Sequence, residues 1–161
     1  MDRIRVGVVG AGFMGALHAR SVAESGFGTL VAVADPDAAR ASAVATRHGA
    51  VARGDVREML ERDDLQAVVV ATPETLHREA VVAAAEHGCA VLVEKPIAAS
   101  LEDADAMIAA CEQAGVPLMV GYILRFEPAY ARIRQAVEGG HFAVGRGHDP
   151  STLSPLAQPR F

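Results

Sequence analysis

The chain has 161 residues, 51% of them hydrophobic, and a net charge of −5. That charge excludes an electrostatic surface for nucleic acid or anionic membrane, and no apolar run forms a membrane span or a secretory leader. The expected compartment is the cytoplasm, where Cys89 and Cys111, lacking metal or redox spacing, read as two buried thiols.

Ile4–Val9 is an apolar run that reads as a first strand, and it feeds directly into Gly10-Ala11-Gly12-Phe13-Met14-Gly15. Gly10 permits a tight strand-to-helix turn, Gly12 has no Cβ to keep a pyrophosphate away, and Gly15 lets helix and strand pack closely. A helix over Phe13–Ser25 follows, its N-terminal N–H groups and dipole facing the phosphates. Strand, glycine turn and helix in this order predict a dinucleotide site. Thr29–Ala34 reads as the second strand and ends at Asp35. Dinucleotide folds place an acid about 20 residues past the glycine turn, where it accepts ribose hydroxyls and repels a 2′-phosphate. NAD is therefore favoured over NADP, while Arg40 keeps a phosphate open. The alternative for Asp35 is a cap on a helix over Asp37–His48, opened by Asp35-Pro36 with proline in the first turn.

A weak strand near Val51–Ala52 and a short helix over Val56–Arg62 follow. Ala67–Ala71 is a continuous apolar strand of the kind buried on both faces. The loop after it, Ala71-Thr72-Pro73-Glu74-Thr75-Leu76-His77, stands at a carboxyl strand end, where open α/β sheets bind ligands. Thr72 and Pro73 equally suit the cap and first turn of a helix over Glu74–His87, with His77 on its surface. Ala90–Val93 is the next strand, and Glu94-Lys95-Pro96 leaves its carboxyl end. An ammonium there can hydrogen-bond a substrate oxygen and help move its proton, its pKa brought down by burial and a neighbouring cation. An exposed loop lysine is the other reading. Ser100 caps a helix with Met107, Ile108 and Cys111 on one face, ended by Gly115 and Pro117. Leu118–Val120 is the last strand. Tyr122 and Arg125 follow it as crevice residues, or as a core aromatic and an ion-pair partner. Pro128 opens a final helix striped by Tyr130, Ile133 and Val137. Repeated βαβ units give an α/β fold with a doubly wound parallel sheet. The expected organisation is a dinucleotide-binding domain over 1–138 and an irregular Gly/Pro/Ser-rich tail over 139–161.

Gly10-Ala-Gly-Phe-Met-Gly15, Asp35-Pro36, Ala71-Thr-Pro-x-x-x-His77, Glu94-Lys-Pro96 and Arg125-Phe-x-Pro128 together resemble the glucose–fructose oxidoreductase / inositol dehydrogenase (Gfo/Idh/MocA) family. The resemblance runs from about residue 3 to 138 and implies a Rossmann cofactor domain and hydride transfer between a nicotinamide and a sugar- or cyclitol-like hydroxyl. It implies dinucleotide contacts from Gly10, Gly12, Phe13, Met14, Gly15, Asp35, Thr72, Pro73, His77, Glu94 and Lys95, with Lys95 the catalytic group and no metal. The peptide before Pro96 is often cis in relatives, and many carry His where this chain has Tyr122. Relatives continue into a second α+β domain that bears the substrate floor and further catalytic residues. The chain is accordingly expected to be a truncated relative or fragment that binds cofactor with little turnover. Self-association through the last helix is expected in the absence of that domain. Two alternatives stay open: a non-catalytic dinucleotide-binding module, and a methyltransferase, against which Glu94-Lys-Pro96 argues.

Overall fold

A strand buried on both faces must be apolar at every position, and Val6–Val9, Val68–Val70 and Ala90–Val93 meet that demand with almost no polar side chain. A computed structural model describes residues 3–139. Its strands are β1 (Ile4–Val9), β2 (Gly28–Ala34), β3 (Val51–Arg53), β4 (Ala67–Val70), β5 (Ala90–Val93) and β6 (Leu118–Val120). Between them run helices α1 (Phe13–Glu24), α2 (Ala38–Arg47), α3 (Val56–Arg62), α4 (His77–Glu86) and α5 (Leu101–Ala114); α6 (Pro128–Glu138) follows β6. The sheet order is β3-β2-β1-β4-β5-β6, every pair parallel. The chain reaches the β3 edge and then returns to place β4 beside β1. That reversal opens a crevice at the carboxyl ends of β1 and β4.

Alternation along the strands divides the core between the two sheet faces. Val6, Val8 and Val69 pack with Ala19 of α1 and Ala45 of α2. Val68, Val70, Val91 and Val93 pack with Met59 of α3, Val81 and Ala84 of α4, and Met107 and Cys111 of α5. A register shift pairs Val6 with Leu30 but Gly7 with Ala32, leaving Val31 as an extra residue. This bulge puts Leu30 and Val33 on the same face despite their odd spacing.

Four local expectations change. Asp35-Pro36 does not open α2; Asp37 is its N-cap and accepts the N–H groups of Ala39 and Arg40. The helix expected over 74–87 is a single 3₁₀ turn, Glu74–Leu76, followed by α4. Pro73 is extended (ψ 146°), so Thr72 stands before the turn and its hydroxyl caps nothing. Ile108 lies at the rim of α5, while Met107 and Cys111 are buried.

The chain divides into two compact units after Gly121, where β6 has ended, whereas the sequence reading runs a single domain to 138. The first unit holds the whole sheet. The second contains a 3₁₀ turn (Ile123–Phe126) and α6, whose Tyr130, Ile133 and Val137 are exposed. Residues 140–161, most of the expected irregular tail, lie outside the described residues. Among the described residues no helix is long and apolar enough to cross a membrane.

Candidate cofactor site

The glycine turn is shaped by what each glycine touches. Gly10 has φ +93°, and a Cβ there would stand 2.6 Å from the Ala71 carbonyl oxygen. Its N–H donates to Ala34 O at 2.8 Å, tying the turn to β2. A Cβ on Gly15 would fall 1.7 Å from Gly10 O, so this residue faces the back of the turn and sets how closely α1 approaches β1. A Cβ on Gly12 would meet nothing within 4 Å. Gly12 is also the N-cap of α1, with no side-chain cap and no acid in the first turn. The positive end of a twelve-residue helix is therefore open to an anion.

A cleft of about 700 Å³ lies in front of this turn, at the carboxyl ends of β1, β2 and β4. Gly10, Gly12, Phe13, Met14, Asp35, Thr72 and Pro73 all line it, seven of the residues expected from sequence. Phe13 is 84% exposed on its rim. Asp35 is 6% exposed and works in three directions. Its Oδ2 accepts the Ala11 N–H at 2.8 Å, and its Oδ1 accepts the Asp37 N–H at 2.8 Å and Arg40 Nη2 at 3.1 Å. A carboxylate has about four acceptor positions, so one on Oδ2 is left for a hydroxyl. The cap and ribose readings of Asp35 are thus partly joined: it holds the residue that caps α2. Arg40, the candidate phosphate ligand, is shared between Asp35 and Asp37, the latter at 3.2 Å. Two carboxylates to one guanidinium leave this corner of the cleft net negative. Thr72 supplies a further sign of an absent partner, because its hydroxyl is buried with no hydrogen bond in the protein. An open helix end, a free carboxylate position and an orphaned hydroxyl on one wall fit a dinucleotide.

Four expected contacts are not in that wall. Gly15 is behind the turn, as its clash with Gly10 requires. His77 corrects both of its readings, since it is neither a cofactor contact nor a surface residue. It is 1% exposed, with Nδ1 3.0 Å from Ile97 O and Nε2 3.0 Å from Thr72 O, so no ring nitrogen is left for a ligand. Glu94 and Lys95 stand at the end of β5, one strand further along the sheet. Lys95 is exposed, which contradicts the burial expected to tune it, and the Lys95–Pro96 peptide is cis. Glu94 is 6% exposed. Burial pushes its carboxyl up, but hydrogen bonds from His18 and the Lys95 N–H, with the nearby positive charge of both residues, outweigh it and hold the group below the usual carboxylate range. His18 is the residue that sequence reasoning missed. It reaches Glu94 only because α1 packs across the sheet, and nothing within its own segment announces this.

Among the described residues no group of three or more His, Cys, Asp or Glu side chains is arranged to hold a metal. Residues 4–122 match the family model for the Gfo/Idh/MocA oxidoreductases, described as an oxidoreductase family with an NAD-binding Rossmann fold. Inositol 2-dehydrogenase 4 of Saccharopolyspora erythraea is 40% identical over 146 residues, covering 89% of this chain and 43% of that protein. The 2,7-anhydro-N-acetylneuraminate hydratase of Mediterraneibacter gnavus is 38% identical over 126 residues, covering 78% and 33%. The WlbA dehydrogenase of Bordetella pertussis, solved with NADH and UDP-GlcNAcA, superposes with a TM-score of 0.84 at 32% identity, covering 88% of this chain and 44% of that one. The scyllo-inositol dehydrogenase of Lactobacillus casei, solved with NAD(H) and scyllo-inositol, gives 0.80 at 26%, covering 86% and 42%. The chain spans about two-fifths of the length of the curated relatives it matches. With its glycine turn, Asp35 and Glu94-Lys-Pro96 in their places on a six-stranded parallel sheet, the chain belongs to the Gfo/Idh/MocA oxidoreductase family and carries its NAD-binding Rossmann fold.

Proposed function

We propose that this chain is the NAD(H)-binding part of an oxidoreductase acting on a hydroxyl-bearing carbon of a sugar- or cyclitol-like substrate. The observation that carries the reading is the cleft wall itself, where Gly12, Asp35 and Thr72 each offer an unused position to a ligand. The pyrophosphate fits over Gly12 at the N-terminus of α1. Asp35 accepts from the adenosine ribose, and the net negative corner it forms with Asp37 and Arg40 disfavours a 2′-phosphate. The Thr72 hydroxyl gains the hydrogen bond it lacks. A bound nicotinamide would supply the carbon that takes up or gives hydride. Glu94 and Lys95 border the next position along the sheet edge. There the Lys95 ammonium donates to the substrate oxygen and assists removal of its proton. Orientation of two reactants is worth about 7–11 kcal/mol of barrier, and an exposed Lys95 supplies little of it alone. We expect the 161-residue polypeptide to bind cofactor and turn over poorly. The names of the inositol dehydrogenases among its relatives support the substrate class.

The test is a calorimetric titration of the purified chain with NADH and NADPH, repeated on Asp35→Asn. The wild type binds NADH at least about tenfold tighter than NADPH, a difference of about 1.4 kcal/mol. Asp35→Asn keeps an acceptor oxygen, loses the charge, and narrows that ratio. Binding of neither cofactor overturns the reading. Equal binding of both overturns the role of Asp35. Ready reduction of NAD with myo-inositol by the chain alone would overturn the expectation of poor turnover.

A further inference from the structure

Lys95 is the only lysine in the chain, and the short segment that carries it is held on both sides by a histidine. On one side, His18 of α1 donates from Nε2 to Glu94 Oε1 at 2.8 Å, while Glu94 Oε2 accepts the Lys95 backbone N–H at 3.0 Å. On the other, the His77 ring of α4 stands 3.0 Å from the carbonyl oxygens of both Ile97 and Thr72. Both of those partners are acceptors, so whichever ring nitrogen carries a hydrogen has one in line. α1 and α4 pack on opposite faces of the sheet. A neutral His77 ring donates to only one of its two carbonyls, so residues 94–97 are flanked by a histidine from each face of the sheet, His18 bonded to Glu94 and His77 beside the Ile97 carbonyl. Neither histidine lines the cofactor cleft. A buried imidazole is costly unless its polar atoms are bonded, and here each ring reaches the segment that carries Lys95, His18 at Glu94 and His77 at Ile97.

We infer that His18 and His77 are positioning residues for Lys95, together fixing residues 94–97 so that the ammonium is presented from a rigid segment beside the cleft. The inference rests on the reading of Lys95 as the substrate-side ammonium. Its consequence for chemistry is large, because a misplacement of about 1 Å costs on the order of a hundredfold in rate. Structural burial alone leaves the doubled arrangement unexplained, with one histidine before Lys95 and one after it.

The single lysine makes the idea measurable. Reductive methylation with ¹³C-formaldehyde labels Lys95 and the chain terminus only, giving one lysine resonance. His18→Gln keeps an amide nitrogen in place of Nε2 and still donates to Glu94, whereas His18→Leu does not. His77→Gln keeps the arm toward Thr72 and loses the arm toward Ile97. In the free chain the wild type and His18→Gln give one narrow Lys95 line, and His18→Leu and His77→Gln broaden it severalfold or split it. His18→Gln and His18→Leu bind NADH within about threefold of the wild type, since His18 does not line the cleft, but the NADH-induced shift of the Lys95 line is lost in His18→Leu and His77→Gln. A wild-type line and a wild-type shift in both of those variants would overturn the inference. Failure of the wild type to bind NADH would instead sink the cofactor reading, and the line width in the free chain would still report the tether.

Discussion

Gly12 and Gly15 stand on the same turn and answer differently to the same added methyl group. At Gly12 the new Cβ meets nothing and φ is −71°, so alanine is accommodated without strain. The cost to folding is the poorer N-cap, roughly 0.5–1 kcal/mol. The cost to binding is greater, because the methyl occupies the space through which a pyrophosphate approaches the α1 N–H groups. Gly12→Ala should keep nearly its full melting temperature and lose about tenfold or more in NADH affinity, at least about 1.4 kcal/mol. At Gly15 the methyl runs into the Gly10 carbonyl, and backbone must move, so Gly15→Ala should destabilise the fold by about 1–3 kcal/mol or more. Thermal melts and calorimetry on both proteins read the contrast; an equally destabilised Gly12→Ala would remove the argument that its space belongs to a ligand. These two residues, with Asp35, were legible because their work is done within a short stretch of chain. His77 was not, because what defines it is the Ile97 carbonyl, brought to it by the docking of α4 against β5 and the loop after it.

Elements meet at Glu94, where β5 ends and α1 reaches over with His18. The strand, the helix and their order were readable from apolar runs and the glycine turn. Their mutual packing was not, since an amphipathic stripe says which face is buried and leaves open what polar group it carries across. Asp35-Pro36 makes the same point locally: the residue pair looks like a helix start, yet Asp37 has the better side-chain geometry for the cap and takes it. The depressed acidity of Glu94 has a consequence for stability. Its carboxyl sits lower in the folded chain than in the unfolded one, so the contribution is complete above the ordinary carboxylate range. It is lost as pH falls through that range toward the folded value. Glu94→Gln removes this linkage while leaving an acceptor for His18. The wild type should therefore melt above the variant near pH 7, and the gap should begin to narrow below about pH 4 and close only once the pH is under the lowered folded value. A gap that is constant from neutral to acid pH would mean that the pair with His18 does not hold the charge.

At the scale of the whole chain, the cleft is built entirely from residues of the first compact unit, from Val9 to Ala80. Nothing in the glycine turn or in Asp35 signals a boundary after Gly121, because α6 has as regular an apolar stripe as any helix of the sheet domain; only the end of the β-α alternation marks the place. The division makes cofactor binding a regional event. A ligand that binds only the folded state at a hundred times its dissociation constant adds about 2.7 kcal/mol, or about 5–10 °C in melting temperature for a chain of this size. That stabilisation should arise where the contacts are. Amide hydrogen exchange with and without saturating NADH should slow at the glycine turn, at residues 35–37 and at 71–73. Exchange in α6 should change little, because every residue that lines the cleft belongs to the first unit. If α6 were protected as strongly as the glycine turn, the two units would behave as one cooperative body in the bound state. The cofactor would then be organising the chain beyond the Rossmann sheet, and the second unit would belong to the binding machinery.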